Sequence, residues 1–344
     1  MKPFRIIVLL MCCLVLNSCK NNTKPAETQT QEKLKALIID GENNHGIWPK
    51  STFMMKDYLE QTGLFDVDIA RKLYNWVGPH HNVKGLDSIE QLLELYPFDD
   101  GVKRTSLDST RFDPKFNPDF SKYDVVVNNL GWKSSHWPEQ TKKNFVNFIK
   151  GGGGLIIVHA ASNAWGDWDD YNKMIGLGAW GGRTEKSGPY VFYNSENKIE
   201  YDTSKGNCGQ HGKQSEFVIT TRAPEHPIMK GLPNEWLHGK DELYEKLRGP
   251  AENMTILATA YSDKKNGEKR TGRHEPMLMA IDYHKGRIFH TTLGHMDYSM
   301  ECVGFITTLQ RGAEWAATGK VTQSIPKDFP NTIKSSSRTW NRSK

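Results

Sequence analysis

Four short runs of strand-forming residues alternate with helical patterns, and this alternation constrains the chain more than any other feature. The runs are "LKALIID" (34–40), "FDVDIAR" (65–71), "KYDVVVNNL" (122–130) and "GLIIVHA" (154–160). In the last, Leu155, Ile156, Ile157 and Val158 offer no polar face to water, so the strand must be covered on both sides. Between the runs, "STFMMKDYLEQTG" (51–63) predicts a helix capped by Ser51 and stopped by Gly63. A second, "PEQTKKNFVNFIKGGGG", opens at Pro138, turns Phe145, Phe148 and Ile149 to one face, and ends in glycine. Strand–helix–strand at this spacing gives βαβ units, hence an α/β fold around a mostly parallel sheet. The glycines at 151–154 precede their strand, so they read as a helix-to-strand turn; a phosphate-cradling loop follows its strand.

Elsewhere the pattern is interrupted. Residues 72–120, rich in Pro, Asp, Asn and His, read as an insertion with at most one helix, "LDSIEQLLELY" (86–96). Residues 180–222 hold "PYVFYN", "KIEYD" and "EFVITTR", expected as antiparallel additions rather than core. "MTILATAYS" (254–262) is a further strand, and "EPMLMAIDYHKGRIFHTTLGH" (275–295) is two strands around His284-Lys285-Gly286. The last helix is "ECVGFITTLQRGAEWAATG" (301–319), and the tail 321–344 reads as a loosely packed strap. Residues 34–320 thus form one α/β domain, long enough to bury a large core.

The first residues do not belong to that domain. Lys2 and Arg5 precede an apolar stretch, Ile6 to Leu16, too short to span a bilayer. It ends in Leu16-Asn17-Ser18-Cys19, which looks like the lipobox of bacterial lipoproteins. Residues 1–18 are therefore expected to be a signal peptide, with the mature chain lipidated at Cys19. Residues 19–33, polar and without a large apolar side chain, read as a flexible tether. The domain then sits in the cell envelope, held to a membrane by its lipid.

Basic residues number 45 against 40 acidic ones, and cleavage removes Lys2 and Arg5, leaving 43. A net charge near +3 with scattered lysines argues against a nucleic-acid partner. Cys12 and Cys13 leave with the signal, so Cys208 and Cys302 are the thiols of the exported domain. Two cysteines permit one disulfide but no framework.

In an open α/β sheet, ligands bind beyond the carboxyl ends of the parallel strands. Strand 34–40 runs into Asn43 and His45, strand 154–160 ends on His159, and the last strand runs through His290 to His295. Three strands thus deliver imidazoles to one edge. Asn129 and Trp132 follow the third strand; Asp241 and Glu242 lie in "GKDELYEKL", and Arg273 and Glu275 in "GRHEP". A helix start is the competing reading of Asp241 and Glu242. Trp132, Trp137, Trp165, Trp168 and Trp180 fall in loops after strands, where indoles suit the apolar face of a sugar ring.

Taken together, "ALIIDGENNH", "YDVVVNN", "GGGGLIIVHAASNAW", "EHPIMKGLP", "KDELY", "GRHEP" and "KGRIFHTTLGH" resemble the ThuA-like, trehalose-utilisation family, from about Lys35 to Gly319. The resemblance implies a flavodoxin-like, doubly wound sheet of the class I glutamine amidotransferase type. There, the turn after the 154–160 strand carries the nucleophilic cysteine; here it carries His159-Ala160-Ala161. Glutaminase chemistry needs a thiolate, so that activity is not expected. His295 falls roughly where amidotransferases keep their catalytic histidine. Many relatives have a histidine shortly after a Gly-Gly pair; "GGRTEKSGPY" (181–190) has none, and His211 lies too far along the chain to replace it on spacing.

The resemblance also implies work beside sugar dehydrogenases that make 3-keto-glycosides, so the expected ligand is a small sugar or keto-sugar. Its carbonyl would need an electrophile and a base. His45, His159, His295 and Glu275 are the catalytic candidates, and Asn43, Asn129, Trp132, Trp165, Arg273, Asp241 and Glu242 the substrate-binding ones. The cofactor stays open; imidazoles at His45, His159 and His295 suit a divalent metal such as zinc. A non-catalytic carbohydrate-binding lipoprotein and a degenerate amidotransferase-like scaffold are the alternatives.

Lipidation is directly testable. Cys19→Ser should move the protein from the membrane fraction to the soluble one, as read by immunoblot; unchanged membrane association refutes the assignment.

Overall fold

The computed structural model describes residues 32–76 and 89–342. The signal segment 1–18, Cys19, the tether up to residue 31 and the first three residues of the expected 86–96 helix lie outside the described residues. β1 (Leu34–Asp40), α1 (Trp48–Glu60), β2 (Phe65–Arg71), β3 (Val125–Asn128), α2 (Glu139–Gly151) and β4 (Gly154–Val158) build the first part of the sheet. β5 (Ser215–Thr221), β6 (Glu235–Asp241), β7 (Met254–Tyr261), β8 (His274–Tyr283), β9 (Gly286–Thr291) and α3 (Val303–Thr318) complete it.

The sheet runs β6-β5-β7-β8-β9-β4-β3-β1-β2. Its five neighbours from β9 to β2 are parallel, and β6, β5, β7 and β8 extend it antiparallel. Read from β2, the parallel order is β2-β1-β3-β4-β9, the flavodoxin-like arrangement. The sheet is therefore doubly wound and mostly parallel in its core, with antiparallel additions. The hairpin Tyr190–Tyr193 and Ile199–Asp202 joins it where Tyr193 pairs with His274.

Alternation on the parallel strands explains why they are apolar throughout. Ile38, Val127, Ile156 and Val158 enter one core with Met54, Tyr58, Phe305 and Leu309 of α1 and α3. Ile39, Val126, Leu155 and Ile157 enter the other, with Phe145 and Ile149 of α2. Among the described residues no helix is long and apolar enough to cross a membrane.

Several boundaries differ from expectation for identifiable reasons. α1 starts at Trp48 because Pro49 fits a first helical turn; Ser51 is inside it, its hydroxyl donating to the Trp48 carbonyl. β4 stops at Val158, since His159 already turns with φ +45°. "EWLHGKD" forms β6, so Asp241 closes a strand rather than opening a helix. "EFVITTR" contributes Phe217 and Ile219 to the core. The tail is not loose: Asn331 accepts from the Leu237 N–H, Ser336 from the Val303 N–H, and buried Trp340 donates to Asp57. Cys208 and Cys302 are both buried and free, with no disulfide.

The glycine run divides its work by position. Gly152, at φ +119°, caps α2 in the left-handed region. A Cβ on Gly154 would meet the Ala316 backbone of α3 at 2.7 Å, whereas one on Gly151 would meet nothing within 4 Å. Gly154→Ala should cost about 1–3 kcal/mol through overpacking. Gly151→Ala should leave stability unchanged or raise it by up to ~1 kcal/mol. Urea denaturation of both variants reads the contrast; equal costs would refute it.

Candidate active site

The loop after β1 is built before it is functional. Glu42, fully buried, pairs with the Lys72 ammonium at 2.6 Å and accepts from the Ser135 N–H at 2.8 Å. Asn43 donates to the carbonyls of Asn129 and Leu130, which fixes its amide: Oδ1 then accepts from the His45 N–H at 2.9 Å and faces His45 Nδ1 at 3.3 Å. Asn129 donates to Ser51 and Thr52 of α1, and Asn44 accepts from the Trp132 N–H at 2.8 Å. The two loops flanking β1 and β3 are thereby clamped, and His45 is aimed.

His159 sits at the turn after β4, its backbone in the left-handed region that non-glycine residues occupy at a cost. Its Nδ1 lies 2.6 Å from the Thr292 carbonyl, which only accepts, so Nδ1 carries the proton. Nε2 therefore presents a lone pair, 2.9 Å from the Tyr244 hydroxyl and 3.2 Å from His295 Nδ1. Burial, with His295 nearby, pushes the His159 imidazole down to about 4, so it is neutral near pH 7.

His295 follows β9, and Asp241 holds it there: the buried carboxylate accepts from the Gly294 N–H at 2.7 Å and the His295 N–H at 3.1 Å. Asp241 also accepts from the Glu242 N–H at 2.8 Å and from His238 Nε2 at 2.9 Å. Glu242 itself reaches His295 Nδ1 at 3.2 Å, His211 Nδ1 at 3.4 Å and His159 Nε2 at 3.8 Å. Burial alone would raise the Glu242 carboxyl, but these imidazoles outweigh it and hold it below the usual range. The rings of His45, His159 and His295 stand 4.7–5.2 Å apart, centre to centre.

His45, Glu242 and His295 line a cavity of about 620 Å³. Trp132, Trp180, Tyr244 and Tyr298 give it aromatic walls, and Asn44, Asn163, Gln214 and His211 give it polar ones. His159 lies behind the other imidazoles, lining a small void with Asn43 and Asn129.

The sequence candidates therefore separate. His45, His159, His295 and Glu242 come together, with Trp132 in the same cavity. Asn43, Asn129 and Asp241 hold the loops from behind rather than lining the main cavity. Three candidates lie elsewhere. Trp165 packs edge-on against Trp137, Trp168 and Tyr171. Glu275 is fully buried and paired with Arg273 at 2.8 Å, and Arg273 stacks on Phe192. That pair sits within the antiparallel extension and lines neither of the two cavities described. His211, set aside on spacing, reaches Glu242 because Gln210–His211 pairs with Tyr244–Glu245. Asn44, Asn163 and Tyr244 lie inside quoted motifs but are not among the sequence candidates, and Tyr298 lies in none.

The family model for ThuA, trehalose utilisation, matches residues 35–316. A ThuA-like protein from Parabacteroides merdae is 40% identical over 89% of this chain and 98% of its own, with a TM-score of 0.73. A ThuA-like protein from Bacteroides uniformis aligns over 89% of this chain and 98% of its own at 16% identity, with a TM-score of 0.49. Curated proteins give no match.

The buried imidazoles make stability depend on pH. Burial also pushes His290 down to about 4, its Nδ1 donating to the Ile175 carbonyl at 2.8 Å. Below the unfolded pKa of about 6.5, the unfolded chain takes up protons on His159 and His290 that the folded chain refuses until about 4. Stability is thus retained above this window and lost as pH falls through it, by on the order of 3 kcal/mol per histidine at the limit. Urea melts between pH 7 and 4.5 should show the fall, and His290→Asn should flatten it; an unchanged slope in that variant contradicts the assignment.

Proposed function

Since the chain belongs to the ThuA family of trehalose utilisation, we propose that its cavity takes a neutral sugar or keto-sugar, in the first place a 3-keto-glycoside, for acid/base chemistry. The observation that carries this reading is the composition of the cavity. Indole and phenol walls suit the C–H faces of a pyranose, and amide and imidazole groups suit its hydroxyls. No lysine or arginine lines it among the described residues, so a phosphate or a sugar acid would find no cationic side chain there.

A keto group acidifies the C–H bond beside it. Glu242, ionised, and His159, whose imidazole is neutral, are bases within one ligand's width of His45 and His295. The proton would pass from the sugar carbon to one of these bases, and the carbonyl oxygen would take up the charge that develops. Tyr244, whose phenol burial pushes well above its ordinary value, stays protonated and would donate to that oxygen on turning its hydroxyl away from His159 Nε2. Lipidation at Cys19 would hold this chemistry in the cell envelope, beside dehydrogenases that generate keto-sugars.

Incubation of the protein with a 3-keto-disaccharide, followed by NMR, tests the reading. Consumption of the keto-sugar is expected, and a phosphorylated analogue should bind at least about tenfold more weakly. Trp180→Ala should weaken binding by about 1–2 kcal/mol, roughly ten- to thirtyfold in Kd. Ligand retained unchanged would favour the binding-module alternative, and no binding of any neutral sugar would overturn the proposal.

A further inference from the structure

We propose that His45, His159, His295 and Glu242 together bind one first-row divalent transition metal, zinc being the reference ion. The inference does not rest on the carbohydrate reading; it rests on the geometry of the four donors. One ligand atom from each lies within 4.8 Å of the others. Zinc bonds of 2.0–2.2 Å in a tetrahedron set donor–donor separations of about 3.4 Å. Here His159 Nε2 to His295 Nδ1 is 3.2 Å, His295 Nδ1 to Glu242 Oε2 is 3.2 Å, and His159 Nε2 to Glu242 Oε2 is 3.8 Å. Three donors on three separate chain segments already stand at the edges of such a tetrahedron.

Tautomers are set from behind. The Thr292 carbonyl holds the proton on His159 Nδ1, leaving Nε2 unprotonated. Asn43 Oδ1, its amide fixed by two backbone carbonyls, does the same for His45 Nδ1. A carbonyl or amide oxygen on the outer nitrogen is the support that metal-bound imidazoles usually have. Asp241 supplies the equivalent at backbone level, bonding the N–H groups of both His295 and Glu242. His211 lies just outside, on the other oxygen of Glu242. One partner competes: the Tyr244 hydroxyl donates to His159 Nε2 at 2.9 Å and must give way when a metal takes that lone pair. His45, Glu242 and His295 face the cavity, so a ligand there could reach the metal only as a fifth donor or in place of one of the four.

A metal-free arrangement of the same groups is a plain His295–Glu242 hydrogen bond, and uptake of zinc separates the two. The full-length protein is stripped with chelator, dialysed and titrated with zinc chloride by calorimetry, with thermal melts in parallel. About one equivalent is expected, with a rise in melting temperature. Glu242→Gln keeps the side chain's size, and His45→Ala removes a nitrogen donor. Each should weaken zinc binding by well over tenfold while circular dichroism stays that of the parent. If either variant misfolds, His211→Gln, outside the donor set, should still show about a tenfold loss. Absence of zinc uptake by the parent overturns the proposal, and so does uptake unchanged in the variants. Keto-sugar turnover without zinc uptake sinks this inference alone; zinc uptake without sugar binding sinks only the carbohydrate reading.

Discussion

The buried carboxylate of Asp241 is the contact on which the rest of the site depends. It is inaccessible to solvent at the end of β6, and it accepts from three backbone N–H groups and one imidazole. An unpartnered carboxylate in that position would be prohibitive, so the charge persists only because every lone-pair direction is used. Burial would raise its carboxyl, but His238 and the Gly294 N–H more than offset this, bringing it down to about 2. Two of its partners, Gly294 and His295, follow the last parallel strand; the third, Glu242, follows the antiparallel extension. One side chain thus fastens the two halves of the sheet and sets the spacing between an imidazole and a carboxylate that face the same cavity.

The turn at His159 has a comparable role on the neighbouring strand. A parallel strand buried on both faces cannot offer a side chain to solvent until it ends. The sharp turn at φ +45° is what brings the imidazole to the sheet edge, rather than into either core. Its proton on Thr292 and its lone pair toward His295 are consequences of that placement. In the amidotransferase-type fold the same turn presents a thiol. Here Cys208 and Cys302 are buried away from the cavity lining, and the elbow presents a nitrogen base in the sulfur's place. The turn carries one side chain to the sheet edge, here a buried imidazole.

How much of this was legible in the sequence follows from the range of the interactions involved. His45, His159 and His295 could be placed because each ends or follows an apolar strand, and parallel strands share one carboxyl edge whatever their order. The fold was readable for the same reason: Leu155–Val158 admits no environment except a doubly covered sheet. β6 was not readable. Its buried His238, Gly239 and Asp241 break the apolar alternation that marks a strand, and they are buried because of what they bond to across the sheet. With β6 hidden, the partners of Glu242 were hidden too. His211 joins the cavity through a two-residue bridge to Tyr244–Glu245, a pairing no local pattern announces. Glu275 and Arg273 were legible only as two charges in a polar motif; that each pairs with the other, away from the imidazoles, depends on strand register that no local pattern announces.

Charge placement around the cavity shows why its chemistry is narrow. The cations near the first βα loop are already committed. Arg71 is held by Asp40 through two hydrogen bonds, Lys72 by Glu42, and Lys50 by Asp297, each at 2.6–2.9 Å. The first two pairs are almost fully buried, so breaking either would strand a charge in a low-dielectric interior. Such pairs keep the loops rigid, and they commit these three cations, none of which lines the cavity. What faces the space is an ionised Glu242, the Lys50-paired Asp297, the imidazoles of His45, His211 and His295, and amide, phenol and indole groups. A surface of that kind repels phosphates and carboxylates, accepts hydroxyls and cations, and concentrates its basicity where three strands and one extension converge. Part of the cavity's charge balance is thus set behind it, by the buried Arg71–Asp40 and Lys72–Glu42 pairs, which lie outside its lining.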